Sequence, residues 1–387
     1  MTDPSRPLSR GLVFLFAAAC GLIAANLYYP QPLAGPIADD LGLSPGAAGL
    51  TVTLTQIGYG LGLLFLVPLG DLVENRRLIL VLMTGLTVAL VVAGASGSAG
   101  LFLTAGLAVG LCAVAVQVLV PFAAALADEA TRGRTVGNVM SGLMLGIMLA
   151  RPVSGLIADV AGWHMVYALS AAAMVALAVA LRLRLPTRLP QGGMGYGALL
   201  LSMVRLVRDT PVLRRRALYQ TALFSVFSLF WTVTPLLLAE RYGLDQRGIA
   251  LFALAGVAGA LIAPVAGRLA DAGHTRAGTL SALLLAIAAF ALSLVPGLGA
   301  LTVAAIALDA AVSLSLVLGQ REIFALGAAT RNRLNGLFMA AFFVGGAVGS
   351  GFGAFAYEQG GWLAAALIGM AAPALALLAF LAVERRA

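Results

Sequence analysis

Two ionisable side chains sit deep inside long apolar runs: Arg151, within residues 136–158, and Asp309, near the centre of 299–320. If those runs cross a bilayer, each charge costs roughly 2.5–3.5 kcal/mol even on the lowest insertion scales. A cost of that size points to function. Asp309 can take and release a proton, and a nearby cation favours its ionised form while burial alone favours the neutral one. Asp309 is therefore expected to carry the proton, with Arg151 as a partner that approaches in one state and leaves in another. The alternative is a static pair that fastens two helices. Pro152, beside Arg151, frees the carbonyl of Met148 from helical bonding.

A second set could complete a substrate cavity. Asn26 and Tyr29 are spaced for one helix face, as are Gln56 and Tyr59; Gln117 is mid-run; Phe224, Phe227, Ser228 and Trp231 form a stripe at helical spacing. Packing is the competing account of that stripe. A third set lies at run ends: Asp71 with Arg76 and Arg77, and Asp271 with Arg276. A carboxylate there can sit at the N-terminus of a helix from elsewhere in the chain, where unpaired N–H groups favour an anion. Such a contact, made in one conformation and lost in another, is a conformational switch; the competing reading is a charge that only fixes topology. Enzyme chemistry lacks its parts. The chain has two histidines, His164 and His274, both at run ends, and no metal cluster or nucleophilic triad inside the runs. Cys20 and Cys112, each in an apolar run, imply neither a disulfide framework nor a metal site. No cofactor is expected.

The elements that position these residues follow from composition. Of 387 residues 61% are hydrophobic and 10% charged, with mean hydropathy +1.00. A soluble domain carries about 25% charged residues, so the solvent here must be lipid. The net charge of +8 does not indicate nucleic acid, because the arginines occupy short gaps between apolar runs. A span needs roughly 20 residues, which places twelve near 11–33, 47–69, 78–95, 100–127, 136–158, 163–183, 215–238, 248–270, 277–296, 299–320, 335–357 and 361–383. The one long gap, 184–214, divides a first six-helix bundle (1–183) from a second (215–387). Arginines crowd that loop and alternate gaps, whereas the opposite gaps hold Asp39, Asp40, Asp159, Glu240, Asp245 and Glu358. By the positive-inside rule both termini and the long loop are expected in the cytoplasm.

The halves repeat. Arg132 to Trp163 aligns without a gap to Arg331 to Trp362, a constant offset of 199 residues that also pairs Gly137 with Gly336, Met140 with Met339 and Gly146 with Gly345. Six spans per copy is an even number, so the copies share one orientation, the arrangement in which two bundles rock about a site near the midplane.

With these features the chain resembles the major facilitator superfamily over essentially its whole length. Pro264-Val265-Ala266-Gly267-Arg268-Leu269-Ala270-Asp271 is similar to the family's loop signature, and Val67-Pro68-Leu69-Gly70-Asp71 is its first-half copy, with Val67 and Glu74 where glycines are usual. Gly146 through Gly155 resembles the antiporter signature, with Arg151 replacing a glycine, and span four lacks the arginine of proton-coupled members. Asn26-Leu27-Tyr28-Tyr29-Pro30-Gln31-Pro32-Leu33 and Gly58-Tyr59-Gly60 look like a bacterial branch near the drug:proton antiporters. The resemblance implies an all-α fold of twelve transmembrane helices in two pseudo-symmetric halves, with spans one, four, seven and ten lining the cavity. It also implies that spans eleven and five are the helices met by Asp71 and Asp271. The function expected is proton-coupled export of a small organic or amphipathic molecule from a bacterial inner membrane. The competing readings are an importer or facilitator of a polar metabolite, or a receptor or assembly factor that no longer transports. Expected partners are that substrate, protons and lipid, with no nucleic acid, and the chain is expected to act as a monomer.

Overall fold

A computed structural model describes residues 9–128, 131–187, 195–260, 274–327 and 330–384, all helix, turn or loop with no strand among them. The first half comprises α1 (Arg10–Ala25), α2 (Pro30–Leu41), α3 (Pro45–Ala48), α4 (Leu50–Phe65), a 3-10 turn (Val67–Asp71), α5 (Asn75–Gly94), α6 (Ala99–Ala113), α7 (Ala115–Leu126), α8 (Arg132–Ala161) and α9 (Trp163–Arg184). After α10 (Tyr196–Asp209), the second half holds α11 (Pro211–Tyr242), α12 (Gln246–Phe252), α13 (Leu254–Ala260), α14 (Thr275–Ser293), α15 (Leu298–Phe324) and α16 (Arg331–Glu384).

Nine described helices are long and apolar enough to cross a membrane, ten when α1 and α2, bent by 40°, count as one span. The expected twelve are not all resolved as separate helices, for two local reasons. α16 continues through a kink at Gly360 and Gly361, where φ of Gly361 is +61°, so two expected spans form one 54-residue element. The expected eighth span begins as α12 and α13 and runs into 261–273, outside the described residues.

Three expectations need correction. The first span is not one helix: residues 26–29 form a turn between α1 and α2. Pro30 and Pro32 lack the N–H groups that would extend α1, so Asn26 and Tyr29 lie in the break between the two helices. The span then runs on to Leu41. The long gap also contains a helix: α10 buries Leu199 and Met203 and turns its arginines outward.

Helices meet at glycines. A Cβ on Gly146 of α8 would lie against the Gly21 carbonyl of α1, and its repeat mate Gly345 of α16 lies against the Thr221 carbonyl of α11. Small residues allow such backbone approach where lipid supplies no hydrophobic drive between helices. The halves join along α4 with α16, α8 with α12, and α2 with α11.

Candidate functional site

Between the halves, Arg151 of α8 and Asp309 of α15 come together. Nη1 of Arg151 stands 4.0 Å from Oδ2 of Asp309, and the two residues are 4% and 6% exposed. Trp231 of α11 donates its indole N–H to Asp309 Oδ1 at 2.8 Å. Arg151 donates Nε–H to Oε1 of Gln31, in α2, at 2.6 Å. The guanidinium also lies over the rings of Trp231, Phe227 and Tyr28, at 4.3, 5.0 and 5.4 Å from their centroids. Cation–π attraction at such distances is worth about 2 kcal/mol when desolvated, so the aromatic faces offset part of what burying the guanidinium costs. Gln31 Nε2, Arg151 Nη2 and Thr234 Oγ1 have no partner among the described residues. Arg151, Trp231 and Thr234 border a space of about 10 Å³, about one water.

The two ends of the seam differ. Toward Trp163 and Trp362 the halves are packed: Thr53 and Ser350 hydroxyls are 2.7 Å apart, Gln246 donates to the Pro32 carbonyl at 2.8 Å, and Gly155 abuts Ala250. Toward the other end lies a cavity of about 280 Å³, with Gln117, Asn75 and Asp71 on one wall and Arg333, Asn335 and Gly336 of α16 on the other. Between cavity and charge pair is an aromatic layer. Tyr59 packs on Phe343 with centroids 4.3 Å apart, Phe224 stacks on Phe342 at 3.5 Å, and Gln56 donates to the Ser228 hydroxyl at 2.8 Å.

The sequence-predicted residues therefore separate into layers. Gln117 borders the cavity and donates to the Tyr59 hydroxyl at 3.1 Å. Trp231 and Phe227 join the charge pair, while Gln56, Tyr59 and Phe224 belong to the layer between. Asn26 lies elsewhere: it accepts from Ser170 at 2.6 Å and donates to the carbonyls of Leu22 and Ile23, which ties α1 to α9 inside the first half. Tyr29, partly buried, is on the same side, near Ser170.

Asp71 faces the first turns of α16 across the cavity, where the charge of Arg333 acts on it; Arg333 also donates to Ser202 of α10 at 2.8 Å. Arg76 bonds the Arg182 carbonyl within its own half, and the backbone N–H groups of Arg76 and Arg77 are capped by Glu74 at 2.8 Å. Arg276 opens α14, and Asp271 lies outside the described residues. Gln31, Tyr28, Thr234 and Gly256 of the charge cluster escaped sequence reasoning. Gln31 carried a signal, a polar residue between two prolines inside an apolar run. Gly256 had none, because its role depends on what faces it.

A profile described as the Major Facilitator Superfamily matches residues 13–328. An uncharacterized transporter of Escherichia coli O157:H7 is 39% identical over 95% of this chain and 94% of its own. A probable transporter of Streptomyces coelicolor is 34% identical over 93% and 84% respectively. The crystal structure of a mutant of the nucleoside transporter NupG superposes with a TM-score of 0.77 at 14% identity, over 96% of this chain and 99% of that one, a likeness of fold. The chain belongs to the Major Facilitator Superfamily and is a multi-pass membrane transporter, not an enzyme.

Proposed function

We propose that this transporter exports a small organic or amphipathic molecule in exchange for protons, by alternating access, in a bacterial inner membrane with both termini in the cytoplasm. The supporting observation is the meeting of Asp309 and Arg151, one from each half, at the buried seam. Rocking the halves changes the distance between these two charges directly. With the Trp163 end packed and the cavity at the Asp71 end, the guanidinium stands beside the carboxylate and favours its ionised form. That state releases a proton toward the Asp71 side, which the arginine bias assigns to the cytoplasm. When the halves part at the Trp163 end, Arg151 withdraws and the buried carboxylate takes a proton from outside. The substrate follows the opposite route through the cavity bordered by Gln117, whose walls combine apolar, amide and charged side chains and suit an amphipathic molecule. One charge crossing 100 mV releases about 2.3 kcal/mol, enough for roughly a fiftyfold gradient, since each 1.4 kcal/mol is about tenfold.

The test begins with a thermal-shift screen of purified protein against metabolites and drugs, followed by transport of each hit in proteoliposomes. Wild type should accumulate the hit against its gradient when a pH gradient is imposed, and Asp309→Asn should bind it without accumulating it. Accumulation by Asp309→Asn equal to wild type overturns the coupling mechanism, and movement indifferent to pH makes the protein a facilitator.

A further inference from the structure

The socket that receives Arg151 is built around a missing side chain. Gly256 is buried in α13, which packs against α15 and α8. A Cβ added there would lie 2.6 Å from Asp309 Oδ2, 2.9 Å from Trp231 Cζ2 and 3.2 Å from Arg151 Nη1. The first two separations are well inside the roughly 3.5–4.0 Å at which carbon packs comfortably, so something must move. The glycines that set helix spacing face backbone: Gly58, Gly110, Gly146 and Gly349 each oppose a carbonyl of the neighbouring helix. Gly256 faces the outer parts of three side chains, and those can yield while the helices stay in place. A methyl group at 256 would therefore act on the charge pair, already 4.0 Å apart. Gly256, Trp231 and Asp309 all belong to the second half, and Arg151 alone arrives from the first, so the effect falls on docking at the seam.

We propose that Gly256 is a positioning residue for coupling: its missing side chain lets the guanidinium of one half dock beside the carboxylate of the other, and that approach sets how tightly Asp309 holds its proton. The inference rests on the reading of Asp309 as the proton carrier. At an effective dielectric of about 20, moving the charges from 4.0 Å to about 6 Å weakens their attraction enough to tighten proton binding by roughly tenfold.

The measurement needs protons and no substrate, because Trp231 donates directly to Asp309. Of the three tryptophans, Trp163 and Trp362 are replaced by Phe, leaving Trp231 as the only tryptophan, excited at wavelengths that tyrosine does not absorb. Its fluorescence is followed against pH in lipid nanodiscs. The single-tryptophan protein should show one transition that Asp309→Asn abolishes. Gly256→Ala should move that midpoint up by about one unit, and Arg151→Ala should move it at least as far. In the Arg151→Ala background, Gly256→Ala should add nothing, because the docking it obstructs is already gone.

A Gly256→Ala midpoint equal to the parent's, with Asp309→Asn flat, overturns the role of Gly256 and leaves the proton-carrier reading standing. A further shift in the double variant also overturns it, since Gly256 would then act without Arg151. A transition that survives in Asp309→Asn, or that is missing from the parent, overturns the proton-carrier reading and this inference with it. Gly256→Ser serves if the alanine variant is unstable. Its hydroxyl can donate to the carboxylate and favour the ionised form, so the readout is its midpoint change with Arg151 present minus its change in the Arg151→Ala background. That difference should be upward, and a difference of zero overturns the role of Gly256. If neither yields folded protein, Gly256 is a packing residue and the proposal fails.

Discussion

At the scale of single residues, the chemistry of this transporter concentrates where two charges meet out of water. Breaking a buried pair by removing one partner costs about 3–5 kcal/mol when the other stays charged. Arginine cannot shed its proton to escape that penalty, whereas aspartate can gain one. The two truncations should therefore differ. Arg151→Ala leaves Asp309 free to neutralise, so the folded protein should survive with its coupling displaced to higher pH, which transport against external pH would show. Asp309→Ala leaves a buried guanidinium held only by Gln31 and three aromatic rings, and should lower the melting temperature more than Arg151→Ala does. Thermal unfolding of the two purified variants side by side checks the order. Equal or reversed losses would mean that the aromatic faces, not the carboxylate, hold the guanidinium in place.

At the scale of elements, the glycine seams and the charged ends do different work. Gly146 of α8 meets the backbone of α1, where an added carbon would stand against the Gly21 carbonyl with no side chain able to move aside. Gly146→Leu should therefore destabilise the first bundle by at least the 1–3 kcal/mol typical of overpacking. Gly137, on the same helix with open space around it, should accept alanine with almost no change. A melting comparison by fluorescence-detected size exclusion separates the two. Asp71, exposed to the cavity across from the first turns of α16, belongs with the moving contacts. Asp71→Asn should change cysteine labelling at the two ends of the seam in opposite directions while the protein stays folded. Labelling identical to wild type would reduce Asp71 to a charge that orients the chain. α10 bears on the same place: Ser202 holds Arg333, and the Tyr196 hydroxyl donates to the Phe65 carbonyl at 2.8 Å, so this linker helix touches both halves.

At the scale of the whole molecule, two rigid bundles need one end of their seam closed while the other opens. Thr53 and Ser350 mark the closed end. Replacing both by Cys, in a chain lacking Cys20 and Cys112, should give a disulfide, because the two side chains meet across the seam with their hydroxyls 2.7 Å apart. Oxidation should stop transport and reductant should restore it; full activity in the cross-linked protein would mean that this end does not open. Orientation has its own check. Alkaline phosphatase fused after Thr187 should be inactive and fused after Gly243 active, and the opposite pattern would reverse the sidedness assigned to proton release.

Much of the architecture was legible in the sequence because lipid imposes it. Without water to bond stray backbone groups, apolar runs become helices, and the repeat between Arg132–Trp163 and Arg331–Trp362 already marked two like-oriented halves. Arg151 and Asp309 stood out singly for the same reason, as charges where lipid tolerates few. The sequence suggested them as partners but not the geometry of their approach, since they lie on helices from different halves and only the packing of α8 against α12 and α13 brings them to 4.0 Å. Tertiary structure also decided which polar residues share a chamber. Asn26 is absorbed inside the first bundle and Gln117 faces the cavity, although both are polar residues within spans. A helix's periodicity tells which residues share its face but not which helix that face meets. Gly256 is the limiting case, because a residue without a side chain acquires its role entirely from its neighbours.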